Sequence, residues 1–294
     1  MTATHIATLV LAKQSASDIE TLIPALGAAS GLKVLSDHKA FEFEAPADLS
    51  QDKIQAVLDE KNIKADICVQ PAKERKKSLL ICDMDSTLIG QECIDELADF
   101  AGVKARVSAI TERAMRGEID FDGALTERVG LLKDLNLSVL NQCFEERIHL
   151  NPGARTLCQT MKANGAKTVI VSGGFTFFTQ KVLTACGFDA HHANVLLEDG
   201  DKLSGDVQRP ILGRDAKRER LEDYSRDIGG AAAAIAIGDG ANDLAMIKAA
   251  GLGVAFYAKP AVAAASHCAI NYTDLTTALY FQGYKDTEFV TEAG

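Results

Sequence analysis

Ser78-Leu79-Leu80-Ile81-Cys82-Asp83-Met84-Asp85-Ser86-Thr87-Leu88 is the stretch on which the reading of this chain turns. An apolar run of strand length stops at two carboxylates placed two residues apart, with a hydroxyl pair directly after them. Residues i and i+2 of an extended segment point to the same side. Asp83 and Asp85 can therefore converge on one spot at the carboxyl end of a strand, where open α/β sheets place their chemistry. Two anions buried side by side are costly unless a cation or a reaction compensates.

The plainest alternative is an ordinary strand ending in a polar turn. A calcium loop on Asp83-x-Asp85-x-Thr87 fails, because Leu88 stands where the sharp-turn glycine is needed and Ile94 where the bidentate glutamate belongs. A dinucleotide site would need Gly-x-Gly-x-x-Gly after the first strand, and the sequence has none there. What remains is a nucleophilic aspartate with a partner acid and a divalent cation.

Two later runs bear on that reading. Val169-Ile170-Val171-Ser172-Gly173-Gly174-Phe175 is a buried-strand pattern ending in a hydroxyl and two glycines. Ala234-Ile235-Ala236-Ile237-Gly238-Asp239-Gly240-Ala241-Asn242-Asp243 is another, ending in two carboxylates and an amide. Between them, Gly213-Arg214-Asp215-Ala216-Lys217-Arg218 opens a helix. Each glycine-rich strand end alone reads as a turn. The ordered set supplies the separate components of phosphoryl chemistry.

That set resembles the four motifs of the haloacid dehalogenase phosphatase superfamily, and more narrowly its phosphoserine phosphatase family, over about residues 77 to 285. The resemblance implies a Rossmann-like α/β parallel-sheet core with an inserted helical cap. It makes Asp83 the nucleophile that forms an aspartyl-phosphate. Asp85 becomes the group that protonates the leaving alkoxide and later takes a proton from water. It implies Mg2+ held by the Asp83 carboxylate, the Asp85 backbone carbonyl and the Asp239 carboxylate, with Asp243 as a further ligand through water or as outer support. Ser172, the Gly173 N–H, Lys217 and Asn242 would hold the phosphoryl oxygens.

Residues from Gln91 to about Leu150 have helical stripes, Leu97, Phe100 and Ala101 in one and Leu125, Val129, Leu131 and Leu132 in another. The resemblance makes this segment the cap that excludes water. Glu92 and Arg128 match positions that hold the substrate's ammonium and carboxylate, a pairing that suits both charges. Met115 and Phe121 match the apolar positions that seal the pocket. The implied reaction is hydrolysis of phosphoserine, the last step of serine biosynthesis. Its rivals are a phosphatase for phosphohomoserine or phosphoethanolamine, and a non-catalytic amino-acid and magnesium sensor.

The remaining sequence sets limits. The chain has 294 residues, 47% of them hydrophobic, enough for a large core in one or two domains. A net charge of −10 argues against a nucleic-acid or anionic-membrane partner, so an anionic substrate needs a local basic pocket. Seven scattered cysteines without Cys-x-x-Cys read as reduced thiols and, with no basic leader or membrane-length apolar run, predict a soluble cytoplasmic protein. Adjacent His191 and His192 diverge on a strand and read as a surface pair, not a metal pair.

Residues 1–72 read as a separate βαββαβ unit, a ferredoxin-like α+β sandwich similar to ACT-like domains. Its readings are a stabilising or dimerising module, compatible with a homodimer, and an amino-acid regulatory site. Residues 73–77 are the linker, with charges expected to stay solvated, and 78–294 are the phosphatase domain with its cap at about 91–150. The Asp199-Gly200 pair signals a hairpin, expected beside the active site.

Overall fold

Leu79–Cys82 lies buried inside a ten-stranded sheet. The structure is a computed structural model and describes residues 5–28, 31–46 and 48–291, so the outer ends of both expected units, 1–4 and 292–294, lie outside it. In chain order the strands are β1 (His5–Leu11), β2 (Lys33–Ser36), β3 (Ala40–Ala45), β4 (Ala65–Pro71), β5 (Leu79–Cys82), β6 (Lys167–Phe175), β7 (Ala190–Asn194), β8 (Leu196–Asp199), β9 (Lys202–Val207), β10 (Ala234–Gly238), β11 (Leu252–Phe256) and β12 (Cys268–Ile270). The large sheet runs β2-β3-β1-β4-β12-β11-β10-β5-β6-β7, and β8 pairs with β9 alone.

The stretch from β12 to β7 is parallel throughout. Leu80 and Cys82 enter one apolar core while Leu79 and Ile81 enter another. This is the pattern of a strand covered on both faces, which is why it reads as an unbroken apolar run. β5 lies between β10 and β6, so the ends of the three motif-bearing strands sit side by side.

The helices Cys93–Phe100, Lys104–Met115, Phe121–Gly130 and Ser138–Arg147 form the insertion between β5 and β6. An antiparallel bridge from Ile89 to Leu150 closes its base. Leu97, Leu125, Val129 and Leu132 are buried, as the helical stripes predict. The β8–β9 hairpin forms at Asp199-Gly200. It pairs with the cap segment 134–137, through Asp134 N–H to the Leu203 carbonyl at 2.9 Å and Leu137 N–H to the Asp201 carbonyl at 2.9 Å. The hairpin thus braces the helix that carries Arg128.

The first unit has the βαββαβ order, with helices Ala16–Ala25 and Gln51–Lys61. Both begin on a serine cap, Ser15 accepting from the Asp18 N–H and Ser50 from the Lys53 N–H. Ala7, Leu9, Leu11, Phe41 and Phe43 face these helices in a core of their own, while Val10, Ala40 and Cys68 face the core shared with the catalytic half. The sheet continues across the boundary through Ala269 opposite Ile67. The two expected units therefore share one sheet.

The linker is also pinned. Arg75 makes a two-pronged ion pair with buried Glu42, at 2.7 and 3.1 Å, and Lys33 adds a third bond at 3.0 Å. Lys76 lies 3.9 Å from the Tyr284 ring centroid, and the Lys77 N–H donates to Gln282 Oε1 at 3.0 Å. The expectation of merely solvated charges is corrected: these cations fasten β3 and the C-terminal segment together.

Burial alone would raise the Glu42 carboxyl, but Arg75 and Lys33 outweigh it and hold the group below its ordinary value. A depressed folded-state value adds stability that is complete above the unfolded carboxylate range and is lost as pH falls through the folded value. The thermal midpoint of the wild type should therefore drop more than that of Glu42→Gln between about pH 6 and about pH 3.5. Parallel losses would show that this network carries no such linkage.

Candidate active site

Asp83 stands at the end of β5, where its N–H donates to the Ile237 carbonyl of β10 at 2.9 Å. Its carboxylate is almost fully enclosed. Oδ1 accepts from the Met84 N–H at 2.7 Å, and Oδ2 lies 2.6 Å from the Lys217 ammonium. Lys217 projects from the helix Arg214–Ser225 and is itself only 1% exposed. The same ammonium is 2.6 Å from Asp243 Oδ1, and Asp243 Oδ2 accepts from the Gly240 N–H at 3.0 Å. Asp239 completes the cluster: ligand atoms of Asp83, Asp239 and Asp243 all lie within 4.8 Å of one another.

One ammonium thus faces three carboxylates. Burial and the Asp243 charge push the Asp83 carboxyl well up, with Lys217 only partly opposing them. Burial and Asp243 likewise push Asp239 up to about 6. Burial would lower Lys217, but Asp243 and Asp83 hold its ammonium above the ordinary lysine range. The imbalance of charge and the all-oxygen donors fit a hard divalent cation such as Mg2+. The trio contains Asp243 from the outset, while the side chain of Asp85 is engaged elsewhere.

Asp85 Oδ1 accepts from the Cys93 N–H at 3.3 Å. Burial and the nearby Glu92 charge push its carboxyl up to about 7, so a protonated form is accessible near neutrality. Its Oδ2 would lie 2.6 Å from a Cβ placed at Gly174, a contact that only glycine avoids. Ser172 Oγ accepts from the Gly174 N–H at 2.9 Å within the irregular carboxyl end of β6. Phe121 reaches over that strand end from the cap, its Cζ 3.2 Å from where a Gly173 Cβ would stand.

Glu92 and Arg128 enter from the cap side. Glu92 Oε1 accepts from Ser86 Oγ at 2.7 Å, and burial raises its carboxyl. Arg128 Nε donates to the Ala124 carbonyl at 3.2 Å, leaving its terminal nitrogens without a carboxylate partner among the described residues. Burial lowers the Arg128 guanidinium, which also feels the charges of Asp95 and Glu92. Asn242 lies half-buried in the turn before the helix Leu244–Ala249. Met115 is 66% exposed at the cap tip, its sulfur 4.0 Å from Lys259 Nζ, so in this structure it touches the core's outer loop.

Several residues outside the sequence-based set hold the site together. Thr87 Oγ1 donates to Asp239 Oδ1 at 3.2 Å, and Asn151 Nδ2 donates to the Thr87 carbonyl at 2.8 Å. Asn194 Nδ2 donates to the Gly173 carbonyl at 2.9 Å, while its Oδ1 accepts from the Leu212 N–H at 2.7 Å. Ser86 and Thr87 were visible as the hydroxyl pair after the acids. Asn151 and Asn194 carry no local signal. The two histidines diverge as expected, His191 toward Thr179 and His192 toward Tyr224. All seven cysteines are free and buried.

The model of haloacid dehalogenase-like hydrolases matches residues 80–248. A probable phosphoserine phosphatase of Schizosaccharomyces pombe is 39% identical over 242 residues, 81% of each chain. The chain belongs to the haloacid dehalogenase-like hydrolase family, in its phosphoserine phosphatase branch. A probable phosphoserine phosphatase from Vibrio cholerae, solved without ligand, superposes with a TM-score of 0.79 at 30% identity, covering 96% of this chain and 87% of that one. A phosphoserine phosphatase solved as a phospho-aspartyl intermediate analogue gives 0.65 at 39% identity, covering 70% and 99%.

The charge imbalance generates a prediction independent of turnover. Ligand present at ~100 times its Kd stabilises a folded state by about 2.7 kcal/mol. Saturating Mg2+ should therefore raise the thermal midpoint by roughly 5–10 °C in a domain of this size. Asp239→Asn should lose most of that rise. An unchanged midpoint in the wild type would refute a cation site here.

Proposed function

We propose that this protein is a magnesium-dependent phosphatase that hydrolyses O-phospho-L-serine to L-serine and phosphate, the closing step of serine biosynthesis, through an aspartyl-phosphate on Asp83. The observation that carries the reading is the enclosed Asp83 carboxylate, oriented by the Met84 N–H and the Lys217 ammonium beside two further acids. A carboxylate held at both oxygens is fixed for attack along one line. Mg2+ on Asp83, Asp239 and the Asp85 carbonyl, with Asp243 alongside, would screen the nucleophile from the phosphate's negative charge.

The protein's own groups perform the remaining tasks. Asp85, with its carboxyl raised to about 7, gives a proton to the serine alkoxide and then receives one from water. Ser172, the Gly173 N–H, Lys217 and Asn242 hold the phosphoryl oxygens as charge gathers on them. Arg128 receives the substrate carboxylate and Glu92 its ammonium. Phe121 over Gly173 helps keep water from the reacting centre.

The substrate assignment is tested by comparing phosphoserine with phosphoethanolamine, which lacks the carboxylate. Arg128→Ala should lower kcat/KM for phosphoserine by about 100-fold or more, the loss of a charged hydrogen-bonding partner, and hardly change it for phosphoethanolamine. Equal losses would sink the role of Arg128. Asp83→Asn should abolish turnover while the circular dichroism spectrum and cooperative melting persist. Retained turnover would overturn the nucleophile assignment.

A further inference from the structure

A second cleft, of about 630 Å3, opens where the first unit meets the catalytic half. Lys39 reaches it from the first unit, and Ser86, Asn151, Tyr257, Tyr272 and Asp274 face it from the catalytic half. Its size falls in the range of small-molecule sites, which favour such boundaries.

The lining specifies a ligand class. Tyr257 is 55% exposed and Tyr272 39%, so both rings offer surface to a flat partner. Lys39, the one cation in the lining, pairs with no carboxylate among the described residues and lies 5.9 Å from the Tyr280 ring centroid, while Lys64, outside the lining, lies 5.8 Å from the Tyr272 ring centroid. Asp274 Oδ1 accepts from the Thr276 N–H and hydroxyl, which turns that oxygen toward the 274–276 turn and not toward Lys39 as an ion-pair partner. The exposed rings and the one lining cation without a carboxylate partner together favour an aromatic anion.

The wall is built to keep its shape. Asp66 of β4 accepts from the Asn271, Tyr272 and Thr273 N–H groups, at 2.7, 3.2 and 3.0 Å, which fixes the loop bearing Tyr272. Two lining residues without the freedom of glycine hold positive φ, Ser86 at 53° and Tyr257 at 44°. Such backbone persists only where surroundings enforce it, and it gathers at ligand sites.

Ser86 belongs to both places. It lines this cleft, and its hydroxyl donates to Glu92, the residue assigned to the substrate ammonium. We propose that the cleft binds a small planar aromatic carboxylate or phosphonate-type anion, and that its occupancy weakens substrate binding by drawing Ser86 away from Glu92. The coupling half of this inference rests on the role of Glu92 given above, whereas the binding half does not.

The test is calorimetric titration of the full chain with anthranilate and with phenylphosphonate, against acetate, methylphosphonate and aniline as controls lacking ring or charge. At least one ringed anion should bind tenfold or more tightly than its ringless counterpart and than aniline, and the two ringed probes tell carboxylate from phosphonate. Lys39→Ala and Tyr272→Ala should each weaken that binding at least fivefold while leaving basal turnover and the thermal midpoint unchanged. The saturating anion should raise KM for phosphoserine by about three- to tenfold, the range of one hydrogen bond, with kcat unchanged, and this effect should vanish in Lys39→Ala. Binding of equal strength in wild type and both variants overturns the site. Variant-sensitive binding that leaves KM unchanged overturns the coupling. Absent turnover with variant-sensitive binding intact would count against the proposed reaction and leave the site standing.

Discussion

The ammonium of Lys217, enclosed between Asp83 and Asp243, is the interaction on which this molecule is organised. Burying ions costs several kcal/mol each, and a buried lysine remains charged only when anions surround it. Here Asp83 comes from the end of β5, Asp243 from the N-cap of the helix Leu244–Ala249 that follows β10, and the lysine from the helix Arg214–Ser225. The cluster therefore closes only when the parallel sheet has assembled in register and that helix has packed against it. Stability and chemistry share one requirement, because the bond that restrains Asp83 also closes the catalytic half around it.

The same requirement explains which parts were legible in the sequence. A strand covered on both faces leaves an apolar run, and its chemistry falls at the end of that run, so β5, β6 and β10 and their terminal residues could be read locally. The cap was legible from helical periodicity, and the first unit from its strand alternation and the apolar faces of its helices. The union of the two units was not. It depends on Ala269 opposite Ile67 and on Arg75 against Glu42, pairs whose partners are distant in sequence and whose residue types are ordinary. Linker cations look the same whether solvated or pinned, and only the fold decides between them.

Within the site the division is similar. Asp83, Asp85, Ser172 and Asp239 stand at strand ends and announce themselves by spacing. Asn194 orients the Gly173 peptide and the 212 loop together, yet it stands at the end of a strand with no motif around it. Asn151 supports the Thr87 carbonyl from the far side of the cap insertion. Met115 shows the converse limit: its residue type suited a pocket seal, but its place at the cap tip leaves it mostly in solvent, touching Lys259.

The way the first unit is attached constrains what it can do. Asp66 holds the 271–273 loop, Gln70 Nε2 donates to the Phe281 carbonyl at 2.6 Å, and Arg75 bridges back to Glu42. A module tied at these points, with its sheet continued by β12, cannot swing as a tethered body without breaking buried hydrogen bonds, each costly to leave unmade. The coupling proposed above would therefore pass through small displacements at their shared boundary. Ser86 is suited to carry one, since it borders that boundary, follows Asp83 and Asp85 directly, and touches Glu92. The Ser86 hydroxyl restrains Glu92 from that side, whereas the restraints on Lys217 come from Asp83 and Asp243 and do not involve Ser86.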